Sequence, residues 1–259
     1  MRKLIVTASG WHFPSQFYES MARQITPEGW SIELHCVAHR DPKFAQEEKK
    51  DDVFEDTQRG RLDKILYSRV ISKEDIEALG WKYKEYPNTI GDWGNANQWL
   101  EENDYKDSDL ILVTHDDNLI IHDRLFADVV TDSAFEEWDI MTNSPGQPYG
   151  SLRGSFEFFK PVVLDKIGGK FDVSTISLTR EGHTTATNEL GELNDWNNII
   201  EPMTKAIQKY GFKVASLSPC YRVSAYVIEG ERGYISKTHG QNTVIEDAGL
   251  QYLSDNKVI

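Results

Sequence analysis

Four consecutive residues, His115, Asp116, Asp117 and Asn118, follow directly on the run DLILVT at 109–114, the most strand-like stretch of the chain. Side chains on a strand alternate between its faces, so His115 and Asp117 share one side, roughly 6.6 Å apart along the backbone. That separation suits two groups meeting one metal–phosphate complex. Carboxylate oxygens are hard ligands matched to Mg2+ or Mn2+, and a neutral imidazole tolerates Mn2+. In open α/β sheets ligands bind outside the carboxyl ends of the strands, which is where this tetrad falls. The same residues also suit a plain strand end with two solvated carboxylates, because Asp and Asn are common turn formers.

Other residue groupings point away from several chemistries. His35 and His39 are four apart on a predicted strand, roughly 13 Å, too far to share one metal. His115 and His122 lack convincing zinc partners. Neither Ser9-Gly10 nor Gly168-Gly169 forms a dinucleotide fingerprint or a P-loop, so dehydrogenase and kinase readings have no support. Ser155 sits in Gly-Ser-Phe and not in a nucleophile elbow. The two cysteines, Cys36 and Cys220, make no framework and no CxxC. Asp195 stands at the start of a helical pattern, where the macrodipole favours an ionised carboxylate; taken alone, this describes an ordinary helix-terminal charge equally well. Trp93, Trp99 and Trp196 have the surface to stack on a base or a sugar, but at least two of them are expected in the core.

These residues need elements to hold them. KLIVT at 3–7 predicts a buried strand, and Pro14 opens a helix with Phe13, Phe17, Met21 and Ile25 on its inner face. IELHCVA at 32–38 is a second strand, completing the βαβ rhythm of a parallel sheet. The charged stretch 43–61, which includes EEKKDD, reads as a solvated loop. Ser72 starts a helix with a capping box that runs to Leu79 before Gly80. A short strand at 81–86, a loop at 87–94 and a helix turning Ala96, Trp99 and Leu100 inward lead to the strand at 109–114. Further strands are expected at 138–142 and 155–160, and a helix runs from Pro161 to Gly168-Gly169. Trp196, Ile200, Met203, Ile207 and Tyr210 follow helical spacing, Gly211 caps that helix, and 212–217 returns as a strand. The last residues, 241–259, suit either a packed helix or a lid.

At 259 residues the chain is long enough for one large domain with its own core. A net charge of −14, from 28 basic and 42 acidic residues, excludes a general nucleic-acid binder. No window approaches the ~18 apolar residues of a membrane helix, and the opening MRKLIVTASGW is too short an apolar run for a signal peptide. A cytoplasmic protein is expected. Aromatic residues make up 11 %, with seven Trp, which fits either a packed α/β core or a stacking pocket.

The run PNTIGDWGNANQWLEENDYKDSDLILVTHDDNLI resembles the nucleotide-sugar half of GT-A glycosyltransferases, especially glycosyltransferase family 2. GSFEFFKPVVLDKIGGKFD is similar to the family's acceptor-side strand and GGFD turn. LNDWNNIIEPMTKAIQKYGFKVASLSP resembles the segment with its catalytic Glu-Asp pair and the helix after it, and SKTHGQ falls where relatives carry a histidine near the metal. The four motifs agree in order and spacing over roughly 81–240.

The resemblance implies a GT-A fold: α/β, with a mostly parallel central sheet flanked by helices. It divides one domain into a nucleotide-sugar half at 1–118, an acceptor and catalytic half at 119–240, and a tail at 241–259. It further implies transfer of a single sugar from a UDP-, GDP- or dTDP-type donor to a glycan or small-molecule acceptor, with inversion and with Mn2+ or Mg2+. On that reading Asp117 and His239 hold the ion, His115 and Asp116 contact ribose or pyrophosphate, Asp41, Asn88 and Asn95 line the nucleotide, and Asp195 is the general base. His115 replaces the usual first aspartate of the DxD motif, Asn194-Asp195 replaces Glu-Asp, and the DDGS that follows strand two in relatives is absent. Two rival readings are a sugar-phosphate nucleotidyltransferase, which needs a Gly-rich basic loop that TASGWHFPSQ lacks, and a non-catalytic nucleotide- or carbohydrate-binding protein on the same fold.

Overall fold

A computed structural model of the protein describes residues 1–49, 53–88, 91–142, 156–174, 176–178, 184–186, 197–217, 227–229 and 247–258. In chain order the elements are β1 (Arg2–Gly10), α1 (Ser15–Ala22), β2 (Trp30–Ala38), α2 (Pro42–Lys49), α3 (Gln58–Tyr67), α4 (Lys73–Ala78), β3 (Lys82–Glu85) and α5 (Gly91–Glu102). β4 (Leu110–His115), β5 (Asn118–Ile120), α6 (Leu125–Thr131), β6 (Ile140–Thr142), β7 (Phe156–Phe159) and α7 (Pro161–Lys166) follow. The described chain ends with β8 (Ile176–Leu178), β9 (Thr184–Ala186), α8 (Asn197–Tyr210), β10 (Val214–Ser216), β11 (Val227–Glu229) and α9 (Asp247–Asp255).

Seven strands form one sheet in the order β10-β6-β7-β4-β1-β2-β3. β7 runs antiparallel to both its neighbours, and every other adjacent pair is parallel. Both faces are apolar, as expected of a parallel sheet covered on each side. One face sets Leu4, Val6, Leu110, Leu112, Phe156 and Phe158 against Phe17 and Met21 of α1 and Phe126 and Val129 of α6. The opposite face sets Ile5, Val37, Ile111, Val113 and Phe159 against Trp93 and Trp99 of α5, Val163 of α7, and Met203 and Ile207 of α8. Trp93 and Trp99 are therefore core residues.

Local signals account for the helix ends. Ser72 Oγ accepts from Asp75 N while Asp75 Oδ2 accepts from Ser72 N, the reciprocal capping box expected at α4. Gly211 takes φ +68° and donates to Ile207 O, closing α8 as its position predicts.

Three expectations fail. The stretch 43–61 carries most of α2 and the start of α3. Asp41 Oδ1 accepts from Lys43 N ahead of Pro42, Thr57 caps α3, and Ala45 and Leu62 are buried, so a few apolar residues were enough. α1 stops at Ala22, so Ile25 lies past its end, 43 % exposed and not on an inner face. α5 begins at Gly91, within the loop predicted over 87–94.

Beyond the main sheet, β5 pairs antiparallel with β11, and β8 with β9. The tail packs as a helix: Leu253 and Val258 join Leu62, Leu66 and Tyr67 of α3 and Leu119 of β5 in a separate small core. Among the described residues no helix is long and apolar enough to cross a membrane.

Candidate active site

From β1 the chain steps outward through β2 to β3 and then returns to place β4 on the other side of β1. The carboxyl ends of β1 and β4 thus flank a topological switch point, the place where open α/β sheets bind ligands. Four segments leave this edge: 11–14 after β1, 39–41 after β2, 86–88 after β3, and 116–117 after β4.

Asp116 binds the first and last of these together. Its carboxylate accepts hydrogen bonds from the main-chain N–H groups of Trp11 (3.0 Å), His12 (3.1 Å) and Phe13 (2.7 Å), and from the Tyr18 hydroxyl (3.2 Å). Phe13 has φ +51°, in the left-handed region that a bulky residue adopts only when its surroundings impose it. Gly10, just before, has no room for a side chain: a Cβ there would stand 2.7 Å from the Phe13 ring and 3.0 Å from Cys36 Sγ. Asp116 is 1 % exposed. Burial raises its pKa, opposed first by His12 and then by the three amides, and the neighbouring Tyr18 and Cys36 are also pushed up, chiefly by burial. Asp116 was expected to contact ribose or pyrophosphate. The structure turns it inward instead, onto the β1–α1 loop. β4 ends at His115, and Asp116 and Asp117 form the turn that follows, so strand alternation does not decide where Asp116 points.

His115 and Asp117 do come together, with His115 Nδ1 against Asp117 Oδ1. Asp117 is 2 % exposed, and apart from that imidazole its Oδ1 has no hydrogen-bond partner among the described residues. Asn118 fixes the turn behind them by donating to Thr114 Oγ1 (3.2 Å) and His115 O (3.1 Å). An imidazole nitrogen and a buried carboxylate oxygen facing each other are a fitting pair for a divalent ion. Among the described residues, no three His, Cys, Asp or Glu side chains form a complete cage.

The second polar group lies at the end of β2. His39 is 8 % exposed and neither ring nitrogen completes a hydrogen bond. Burial lowers its pKa to about 4 against a weaker pull from the Pro87 carbonyl, so the ring is neutral near pH 7. Arg40 ties the loops together: Nε donates to Trp11 O (2.6 Å), Nη1 to Glu48 (2.8 Å), and the guanidinium lies 4.5 Å over the Trp11 ring. Its Nη2 is buried without a partner, as is Oδ1 of Asn95 on α5.

The other expected nucleotide contacts differ in setting. Asp41 is half-buried and caps α2, and Asn88 is half-buried just past β3. His35 lies deeper on β2 and is satisfied by Trp99 Nε1 (3.0 Å) and Glu33 (3.2 Å). Sequence reasoning weighed His39 only as a zinc ligand beside His35; its place one residue past β2, at the same edge as His115, was the available signal. Asp195 and His239 lie outside the described residues, as does Trp196.

The strand order, the single antiparallel β7 and the β1/β4 switch point define a GT-A glycosyltransferase fold. The chain is similar to the mannosyltransferase PcManGT from Pyrobaculum calidifontis, solved with GDP-Man and Mn2+, at TM-score 0.50 and 14 % identity over 90 % of this chain. It spans 59 % of that structure's length. A second similar structure is the catalytic domain of Drosophila β1,4-galactosyltransferase 7 in complex with xylobiose, at TM-score 0.44 and 9 % identity over 98 % of this chain and 80 % of that one. No protein-family model matches the chain, and no curated protein does.

Proposed function

We propose that this chain is a cytoplasmic glycosyltransferase that moves one sugar from a nucleoside-diphospho-sugar to an acceptor hydroxyl. One observation carries the reading. Buried polar atoms of His39 and Arg40 without hydrogen bonds, and the buried Asp117 carboxylate whose Oδ1 meets only the His115 imidazole, belong to segments leaving the carboxyl edge of the sheet, and Asn95 Oδ1 on α5 is likewise unsatisfied. An unpaired buried polar atom costs about 1–3 kcal/mol, so those at the switch point support a place completed by a polar ligand. The neutral His39, with Arg40, Asp41, Asn88 and Asn95, forms the side that receives the nucleotide. His115 and Asp117 form the side that receives the diphosphate.

Asp117 and His115 would hold Mn2+ or Mg2+, with His239 as a further ligand implied by the family resemblance. Such an ion supplies charge neutralisation at the diphosphate leaving group. Asp116 acts as a positioning residue: it holds the β1–α1 loop, and with it Trp11 and Arg40, at the switch point. Asp195 takes the proton from the acceptor hydroxyl as general base, and direct attack on the donor carbon inverts the sugar.

Isothermal titration with UDP-, GDP- and dTDP-sugars, with and without Mn2+, tests this. The expected result is metal-dependent binding of one nucleotide class, weakened at least tenfold in Asp117→Asn, with sugar transfer to an acceptor hydroxyl by the wild type alone. A folded wild type that binds none of these donors overturns the proposal.

A further inference from the structure

β7 is covered on both faces of the sheet, and a strand so placed is expected to be apolar throughout. Its sequence, Phe156-Glu157-Phe158-Phe159, breaks that rule once. Glu157 is fully buried, as are the three phenylalanines around it. A carboxylate withdrawn from water is costly unless charge or hydrogen bonds compensate it, so one in the middle of a sheet marks a demand other than packing. One compensating bond is local: Oε2 accepts from Phe156 N (3.0 Å).

The strand register shows what Glu157 lies beside. β7 runs between β4 and β6, with Glu157 directly opposite Val113 on one side and Thr142 on the other. Side chains alternate along a strand, so Glu157 takes the face of Phe159, which is also the face of Ile111 and Val113 of β4 and Ile140 of β6. His115, the last residue of β4, follows Val113 by two and takes that face as well. Across an antiparallel pair such a diagonal neighbour lies about 7–8 Å away, within reach of a long side chain. Glu157 is the second residue of β7, which enters the sheet at the edge where β4 ends. The imidazole on this diagonal is the one whose Nδ1 meets Asp117 Oδ1.

Resting on the reading of His115 and Asp117 as the ion-holding pair, we propose that Glu157 is a positioning residue that acts through His115. Its carboxylate accepts from the Nε2–H of the imidazole, which leaves Nδ1, the nitrogen beside Asp117, unprotonated for a divalent ion. Histidines that bind metal commonly donate their other ring nitrogen to a carboxylate or carbonyl, which sets the tautomer and ring plane and raises the basicity of the binding nitrogen. Among the described residues no three His, Cys, Asp or Glu side chains form a cage, so Glu157 acts on the ring and not as a third ligand. A glutamate serving only the fold would be exchangeable for glutamine, which fills the same space and keeps a carbonyl acceptor for Phe156 N.

Titration of the full chain with Mn2+, followed by the paramagnetic resonance signal of the free ion, tests the proposal together with thermal melts. Glu157→Gln is expected to weaken Mn2+ binding at least tenfold, with a melting temperature no lower than that of the wild type. Glu157→Asp, which keeps the charge but shortens its reach, should fall between the two. In His115→Ala the Glu157→Gln change should have no further effect, because the residue through which it acts is gone. Asp117→Asn is the reference for the ion site itself. Binding that Asp117→Asn abolishes but Glu157→Gln leaves at wild-type strength overturns the positioning role and leaves the ion-holding pair standing. An equal loss from Glu157→Gln with and without His115 overturns it too. A wild type that binds no Mn2+ overturns the ion-holding pair and this role with it. Failure of both Glu157 variants to fold shows a purely structural group and also overturns the role.

Discussion

His39 and Asp116 show how differently two buried polar side chains are used at one sheet edge. Asp116 has four donors, whereas His39 has no completed hydrogen bond among the described residues. The state of His39 makes stability depend on pH. Its folded pKa of about 4 lies below the ordinary 6.5, so the unfolded chain binds the proton first as pH falls. The stability tied to the neutral ring is fully present above pH 6.5 and is lost between 6.5 and 4. The interval corresponds to about 3 kcal/mol. Urea unfolding of wild type and His39→Gln across pH 7 to 4 should show a shallower acid loss in the variant; parallel curves would refute the assignment. At this scale the sequence exposed part of the site. The meeting of His115 with Asp117 was expected from their spacing, whereas the inward turn of Asp116 was not legible, because both aspartates lie in the turn after β4. The missing hydrogen bonds of His39 were not legible, because they depend on what α5 and the 86–88 segment place over the end of β2.

Among the elements, α5 does the most to join the sheet to the second half of the chain. Trp93 and Ala96 bury against the sheet, Trp99 donates to His35 on β2, and Asn97 holds the turn after α7 by both its amide atoms. Asn97→Ala removes both hydrogen bonds and leaves a buried main-chain N–H and C=O, so a loss of about 2–3 kcal/mol is expected. Denaturant midpoints compared with those of Gln98→Ala, one residue further round the helix, would check it. The strands β1, β2 and β4 were readable because buried parallel strands are continuous apolar, β-branched runs, as KLIVT and LILV are. α2 and α3 were not. Their sequences are rich in charge, and Ala45, Leu62, Leu66 and Tyr67 mark the faces that tertiary packing selects. The start of α5 was misplaced for a related reason: Gly91 and Gly94 read as loop residues by propensity, yet both lie within the helix.

Across the molecule, residues far apart in the chain meet beneath the site. Leu253 and Val258 close a small core with Leu62 and Leu66 and with Leu119, which lies two residues after Asp117. Leu253→Ala is expected to destabilise the protein by about 2–5 kcal/mol, the range for a fully buried leucine. Because β5 leads directly out of the site, donor affinity should fall with it. A thermal melt paired with nucleotide titration would separate the two effects, and an unchanged melt would show that the tail packs only loosely. The Asp116 clamp has a kinetic counterpart. Its partner amide on Phe13 is 103 residues away in the chain, so the left-handed turn at Phe13 has no anion to hold it until β4 has docked beside β1. Contacts of such sequence separation are slow to form. The loop at the switch point is therefore set late in folding, and a nascent chain ending before residue 116 would carry the first three strands without that loop formed.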